Sequence, residues 1–203
     1  MSFVMVSPSA WLTSIQDLDY KVEDIQNNFS DLYPKRATKF SAGYDFFMPF
    51  DLTVEPDKNY IVPTGFKWNS VDSYIKAKVD FPVEDDKNKK NVESDNPFDN
   101  TIFVQTVHLR IDYSVLLLLP RSSLAFKYGF RLLNTVGVID SDYYNNKKNE
   151  GHIMVAFKVD KELTLKRGDK FCQGIIMPFA FNNNDGEDVV STTRKGGMGS
   201  TDN

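Results

Sequence analysis

Cysteine is almost missing from this chain: Cys172 stands alone, so no internal disulfide can form and nothing requires an oxidising compartment. Histidine is nearly as scarce, and His108 and His152 lack the spacing of a metal-ligand pair. There is no apolar window of membrane-spanning length and no early stretch with the length and basic flank of a signal peptide. A cytoplasmic location without membrane contact is therefore expected. An excess of basic charge is also lacking. The net charge of −4 gives no field to hold a nucleic-acid backbone, so any anionic ligand must be held by a few placed groups.

What the chain does have is enough apolar mass for one real core, with 41% hydrophobic residues over 203 positions. Most of it lies in short, strand-like pieces. Ile75, Ala77, Val79 and Phe81 alternate with polar neighbours, and Ile153, Val155, Phe157 and Val159 share one face of a second period-two stretch. The run Val115 to Leu119 is apolar throughout and ends at Pro120, which suggests a strand covered on both faces. Further strands are expected at 3–6, 44–50, 60–68, 101–107 and 171–179. Many short strands joined by turn residues imply an all-β sandwich or barrel.

Two segments depart from that pattern. Ile15, Leu18, Val22, Ile25 and Phe29 recur at steps of three and four, and Thr13 and Gln16 have the spacing of a capping box. One amphipathic helix over 13–29, docked on the body of the protein, is the expectation. Residues 84–96 are mostly charged, with Val92 their one apolar residue; a solvated loop is the reading their composition favours.

Five short stretches hold the residues suited to chemistry. They are SAGYD at 41–45, PRSSLA at 120–125, GVIDSDYY at 137–144, GDKFCQ at 168–173 and RKGGMGST at 194–201. Glycines that let backbone N–H groups approach closely, with arginine and hydroxyls beside them, suit phosphate oxygens. Each stretch alone has an ordinary reading as a turn, a strand end or a mobile terminus.

In this order the five stretches resemble the five motifs of the trimeric dUTPase family, from about residue 31 to the end. Val62-Pro63-Thr64-Gly65 and Leu133-Asn134-Thr135-Val136-Gly137 extend the similarity between motifs. The resemblance implies a distorted jelly-roll β-barrel, here with one extra N-terminal helix and inserted loops. It implies a barrel domain over 1–190 with an insertion around 70–110, and a flexible C-terminal arm over 191–203. It further implies a homotrimer with active sites at subunit interfaces, and Mg²⁺-assisted hydrolysis of dUTP to dUMP and pyrophosphate.

Roles carry over position by position as what the resemblance implies. Asp140 would activate the attacking water, and a carboxylate is chemically suited to orient a water and take its proton. Tyr143 would pack under the deoxyribose and leave no room for a 2′-hydroxyl. Asn134, Gly137, Ile153 and Met154 would form the uracil pocket. Arg121, Ser122, Ser123 and Gln173 would hold phosphates, and Asp45 would hold Mg²⁺ through water. In the arm, Arg194, Met198, Gly199, Ser200 and Thr201 would close over the nucleotide.

The chain departs from the family pattern in places. Met198 stands where an aromatic is usual and Lys195 where a glycine is usual, which argues for a weaker lid. The stretch from Gly65 to Pro120 and the hairpin loop after Tyr143 are longer than the family needs, and such insertions resemble those of phage-encoded members. They are candidates for contact with a protein partner such as a repressor. A dCTP deaminase-type relative and a nucleotide-sensing interaction protein are the competing readings. The string Asp140-Ser141-Asp142-Tyr143 argues against the deaminase.

Overall fold

The computed structural model describes residues 2–22, 29–70, 77–82, 104–109 and 114–179. The strands, in chain order, are β1 (Ser2–Met5), β2 (Lys35–Arg36), β3 (Gly43–Phe47), β4 (Leu52–Val54), β5 (Tyr60–Pro63) and β6 (Phe66–Asn69). They continue as β7 (Ala77–Pro82), β8 (Val104–Leu109), β9 (Ser114–Pro120), β10 (Arg131–Leu132) and β11 (Gly137–Ile139). The last are β12 (Met154–Lys158), β13 (Leu163–Leu165) and β14 (Lys170–Pro178), and the α-helices are α1 (Pro8–Gln16) and α2 (Ser122–Tyr128). Every pairing is antiparallel, as the short strands and turn-rich links lead one to expect.

The chain divides into two compact units. Residues 1–72 and 113–203 make the first, and Ser73–Asp112 the second. In the first unit, a five-stranded sheet has the order β11-β9-β14-β3-β2 and a three-stranded sheet has β10-β12-β5, with β1-β6 and β13-β4 as paired ribbons. Its core includes Phe46, Phe66, Phe130, Phe157 and Phe171, each at most 1% exposed. The β7-β8 hairpin forms the second unit, with Ala77 opposite Leu109 and Pro82 opposite Val104. The charged run 84–96 lies outside the described residues.

Alternation decides most strand faces. Ile153, Val155, Phe157 and Val159 are all buried, as their spacing predicts. The run before Pro120 does not behave as expected. Leu116 and Leu118 are buried, whereas Val115, Leu117 and Leu119 are half-buried, so β9 is fully covered on one face only.

The N-terminal helix is real but lies elsewhere than its apolar spacing predicts. It runs from Pro8 to Gln16, and Ser7, not Thr13, is its cap: the Ser7 hydroxyl accepts the Ala10 N–H at 3.2 Å, with Pro8 in the first turn. Trp11 and Ile15 are buried beneath it. Leu18 and Val22 pack on the core from non-helical chain, and Phe29 is buried just before a 3-10 turn at Ser30–Leu32. The three-and-four spacing thus reported burial correctly and helix incorrectly, because an irregular chain wrapped on a core can bury the same residues. Residues 23–28, Ile25 included, lie outside the described residues.

Candidate functional site

The sequence candidates fall into two groups, one on β3, β9 and β14 of the five-stranded sheet and one that joins β11 of that sheet to β12 of the three-stranded sheet. The first lies where β3, β9 and β14 run side by side. Gln173 on β14 is paired with Asp45 on β3 and with Leu119 on β9, which fixes the first, second and fourth motifs next to one another. Asp45 is buried, with one carboxylate oxygen 3.2 Å from Arg121 Nη1 and the other 2.8 Å from Lys170 Nζ. Gln173 Nε2 donates to the Pro120 carbonyl at 3.3 Å. A Cβ on Gly43 would stand 2.7 Å from Gln173 Oε1 and so would displace that amide.

Arg121 occupies the cap position of α2, and Ser122 and Ser123 are exposed on its first turn. The sequence reads this stretch as a turn; the structure makes it a short helix, closed by Gly129 at φ +66°. The group therefore offers two cations, two hydroxyls and an amide around one carboxylate, a net positive arrangement suited to an anion. Cys172 is wholly buried beside it, and burial pushes its thiol pKa up, so it behaves as a small hydrophobe.

The second group is built on β11 and β12. Gly137 is buried opposite Leu118, whose Cβ would stand 3.0 Å from any Cβ added at Gly137. Asp140 follows β11 directly and caps a 3-10 turn over Ser141–Tyr143, accepting the Tyr143 N–H at 3.1 Å on its carbonyl. This turn buries Tyr143, whose hydroxyl donates to the His152 carbonyl at 3.2 Å and accepts from Asn149 Nδ2 at 2.7 Å. Asp140 itself is half-buried.

Ile153 and Met154 differ in what their backbones can do. The Ile153 N–H donates to Phe66 at 2.8 Å, and its carbonyl accepts the Thr64 N–H at 3.0 Å, so both face β5 and β6. In an antiparallel ladder the next residue turns its backbone groups the other way. Those of Met154 therefore face the β10 side, just beyond Leu133, whose N–H donates to Ala156 at 2.9 Å. Asn134 follows there as an exposed turn residue ahead of Thr135 at φ +64°. Tyr143, Met154, Leu133 and Asn149 line a cavity of about 530 Å³ together with Ala10, Thr13 and Asp17 of the N-terminal segment.

Among the described residues no group of three or more His, Cys, Asp or Glu side chains could cage a metal ion. A carboxylate has about four acceptor positions, however, and Arg121 and Lys170 use two of those on Asp45. The donor set suits an ion reached through water rather than one bound directly. Arg194, Met198, Gly199, Ser200 and Thr201 lie outside the described residues. Three groups in the site escape sequence reasoning. Lys170 sits inside a quoted motif but was read as turn. Asn149 lies in a loop read only as lengthened. His152 was read as a plain strand residue.

Comparison with known proteins bears on this arrangement. The family model described as dUTPase matches residues 99–202. A deoxyuridine 5'-triphosphate nucleotidohydrolase of Lactococcus lactis subsp. lactis is 32% identical over 170 residues, covering 83% of this chain and 86% of its own. A protein of the same name from Burkholderia thailandensis is 29% identical over 190 residues, 91% of this chain and 97% of its own. Among solved structures, the dUTPase from Streptococcus mutans superposes with a TM-score of 0.52 at 29% identity, over 90% of this chain and 99% of its own.

Proposed function

The chain belongs to the dUTPase family, and on that premise we propose that it hydrolyses dUTP to dUMP and pyrophosphate. The observation that carries the reading is the second group: a carboxylate directly after β11, a buried tyrosine three residues on, and a cavity of about 530 Å³ that this tyrosine shares with Met154. That volume lies in the range of small-molecule sites.

In the proposed mechanism Asp140 orients a water and takes its proton as the water oxygen attacks the α-phosphorus. The bond from that phosphorus to the bridging oxygen breaks, and pyrophosphate leaves with the electron pair. Arg121, Ser122, Ser123 and Gln173 hold phosphate oxygens, where fixed donors stabilise the charge that builds in the transition state. Asp45 would hold Mg²⁺ through water, and the ion would supply neutralisation of triphosphate charge. Tyr143 packs under the deoxyribose, while Asn134, Gly137 and the backbone of Ile153 and Met154 surround the uracil. Of these last two, the outward-facing groups of Met154 are better placed to meet a base. Arg194, Met198, Gly199, Ser200 and Thr201 close the site from the arm, and a homotrimer completes it at subunit interfaces.

Pyrophosphate release from dUTP, dTTP, dCTP and UTP, with and without Mg²⁺, tests the reading beside Asp140→Asn. Selective dUTP turnover that falls at least about a thousandfold in the variant is the expected result, the size of losing a general base plus its oriented water. Wild-type protein that leaves dUTP intact would sink it. A second reading, a nucleotide-sensing protein that meets a partner through its insertions, draws on the separate Ser73–Asp112 unit.

A further inference from the structure

His152 is a fully buried polar side chain that the proposed mechanism does not use. Its Nε2 accepts the Gly65 N–H at 2.8 Å, which leaves the ring proton on Nδ1. Nδ1 lies 2.9 Å from the Ser14 hydroxyl and donates to it, and that hydroxyl donates in turn to the Ala10 carbonyl at 2.9 Å. One neutral ring thus joins α1, the turn between β5 and β6, and the start of β12. The backbone carbonyl of the same residue accepts the Tyr143 hydroxyl at 3.2 Å and Asn149 Nδ2 at 3.4 Å.

A second tie runs in parallel. Glu150, in the lengthened hairpin loop, accepts the Ser7 N–H and the Lys67 ammonium, each at 3.2 Å. Two of the chain's own elaborations, the N-terminal helix and the long loop, therefore hold each other. Ala10, Thr13 and Asp17 line the same cavity as Tyr143 and Met154.

We propose that His152 is a positioning residue for the nucleoside: its ring sets α1 as the cavity wall, and its carbonyl sets the Tyr143 ring as the floor. The proposal rests on the dUTP-hydrolase reading. His152 touches no reacting atom, so it acts on how well the sugar and base are held and not on the phosphoryl step.

The test is the steady-state kinetics of dUTP hydrolysis by the full chain and three variants, with the fluorescence of the buried Trp11 and Trp68 as a check on folding. The Trp11 and His152 rings stand 6.0 Å apart, centroid to centroid. Gln can present an acceptor near the Nε2 position, whereas Asn can reach only the Nδ1 position. His152→Asn should raise KM about tenfold with kcat nearly unchanged, as expected when ground-state and transition-state binding weaken equally. His152→Gln should recover most of that loss. Ser14→Ala, the mildest variant, should raise KM about threefold, by loosening one hydrogen bond of the chain.

Wild-type KM in folded Asn and Ser14 variants would overturn the positioning role. So would an Asn variant that is merely less stable, with both kinetic constants intact in its folded fraction. An equal rise in KM for Gln and Asn would remove the acceptor at Gly65 from the argument and overturn it too. Wild-type protein inactive on dUTP would instead bring down the hydrolase reading, and this role with it; that outcome is distinguished by appearing before any substitution is made.

Discussion

The His152 ring is held near a pKa of about 4, below the ordinary 6.5, chiefly by desolvation, against the attraction of Glu150. Glu150 is in turn kept charged, its pKa lowered by hydrogen bonds from Ser7 and Lys67. The unfolded chain therefore binds a proton that the folded chain refuses between pH 6.5 and 4. Stability from this group is complete above the higher value and is lost as pH falls through the lower one, up to about 3 kcal/mol. Urea unfolding at pH 7, 5.5 and 4 should show that slope in the wild type and a flatter one in His152→Gln. Asp31 and Asp51, whose pKa values are lowered by Arg167 and Lys166, titrate below the ordinary carboxylate range, beneath the upper part of that window. Equal slopes in both proteins would remove the assignment. Asp45 makes a second prediction at this scale. Asp45→Ala would leave the Arg121 and Lys170 cations facing a buried apolar group, and should cost about 1 to 2 kcal/mol after allowing for the partial exposure of both partners. Denaturant midpoints check it, and an unchanged midpoint would show that the two ion pairs contribute nothing net.

At the level of elements, the segment from Tyr143 to His152 shapes the cavity that Tyr143, Asn149 and Met154 line. Asn146 Nδ2 donates to the Tyr143 carbonyl at 2.9 Å and to Asn149 Oδ1 at 2.8 Å, so the loop is braced from within. Gly151 takes φ +77°, and a Cβ there would stand 2.4 Å from the Tyr143 carbonyl oxygen. Gly151→Ala meets both backbone strain and a clash with backbone that cannot swing aside, so it should destabilise by about 2 kcal/mol or more. It should also raise the KM for dUTP, because the atom displaced belongs to Tyr143. Thermal melts and kinetics would check the pair of effects, and a neutral substitution would mean that the loop relaxes freely. Little of this loop is legible in the sequence: asparagines and lysines after Tyr143 announce a turn, not which amide holds which carbonyl. Strands are legible where one face is buried, as at Ile153, Val155, Phe157 and Val159, because period two then reports burial directly. The N-terminal helix lies elsewhere than expected because Leu18 and Val22, partly buried, and Phe29, buried, pack on the core without a helix. Ser7-Pro8 was the signal that could have fixed its start. The candidate site residues come from motif order, while Lys170 and His152 escape it because pairing across strands cannot be seen from spacing along one.

For the whole molecule, the buried core described in the first unit runs from Phe3 to Trp68 and from Leu116 to Cys172. The charged run 84–96 lies in the second unit, and its composition gives it almost no apolar surface to bury. Removing it should therefore leave the core of the first unit and both groups of candidate residues untouched. Loop shortening itself changes closure entropy by well under about 1 kcal/mol. A chain with 84–96 replaced by a short Gly-Ser linker should melt within a few degrees of the wild type and release pyrophosphate from dUTP at about the same rate, since ~1 kcal/mol moves the midpoint of a domain this size by about 2 to 4 °C. If turnover collapses while the melt is unchanged, the run belongs to the catalytic assembly, and the loss must come from contacts it makes to substrate or to another copy of the chain. If turnover is kept and a protein partner captured by the wild type is no longer bound, the insertion serves recognition, and the chain joins an ordinary hydrolase to an interaction surface that evolved apart from its chemistry.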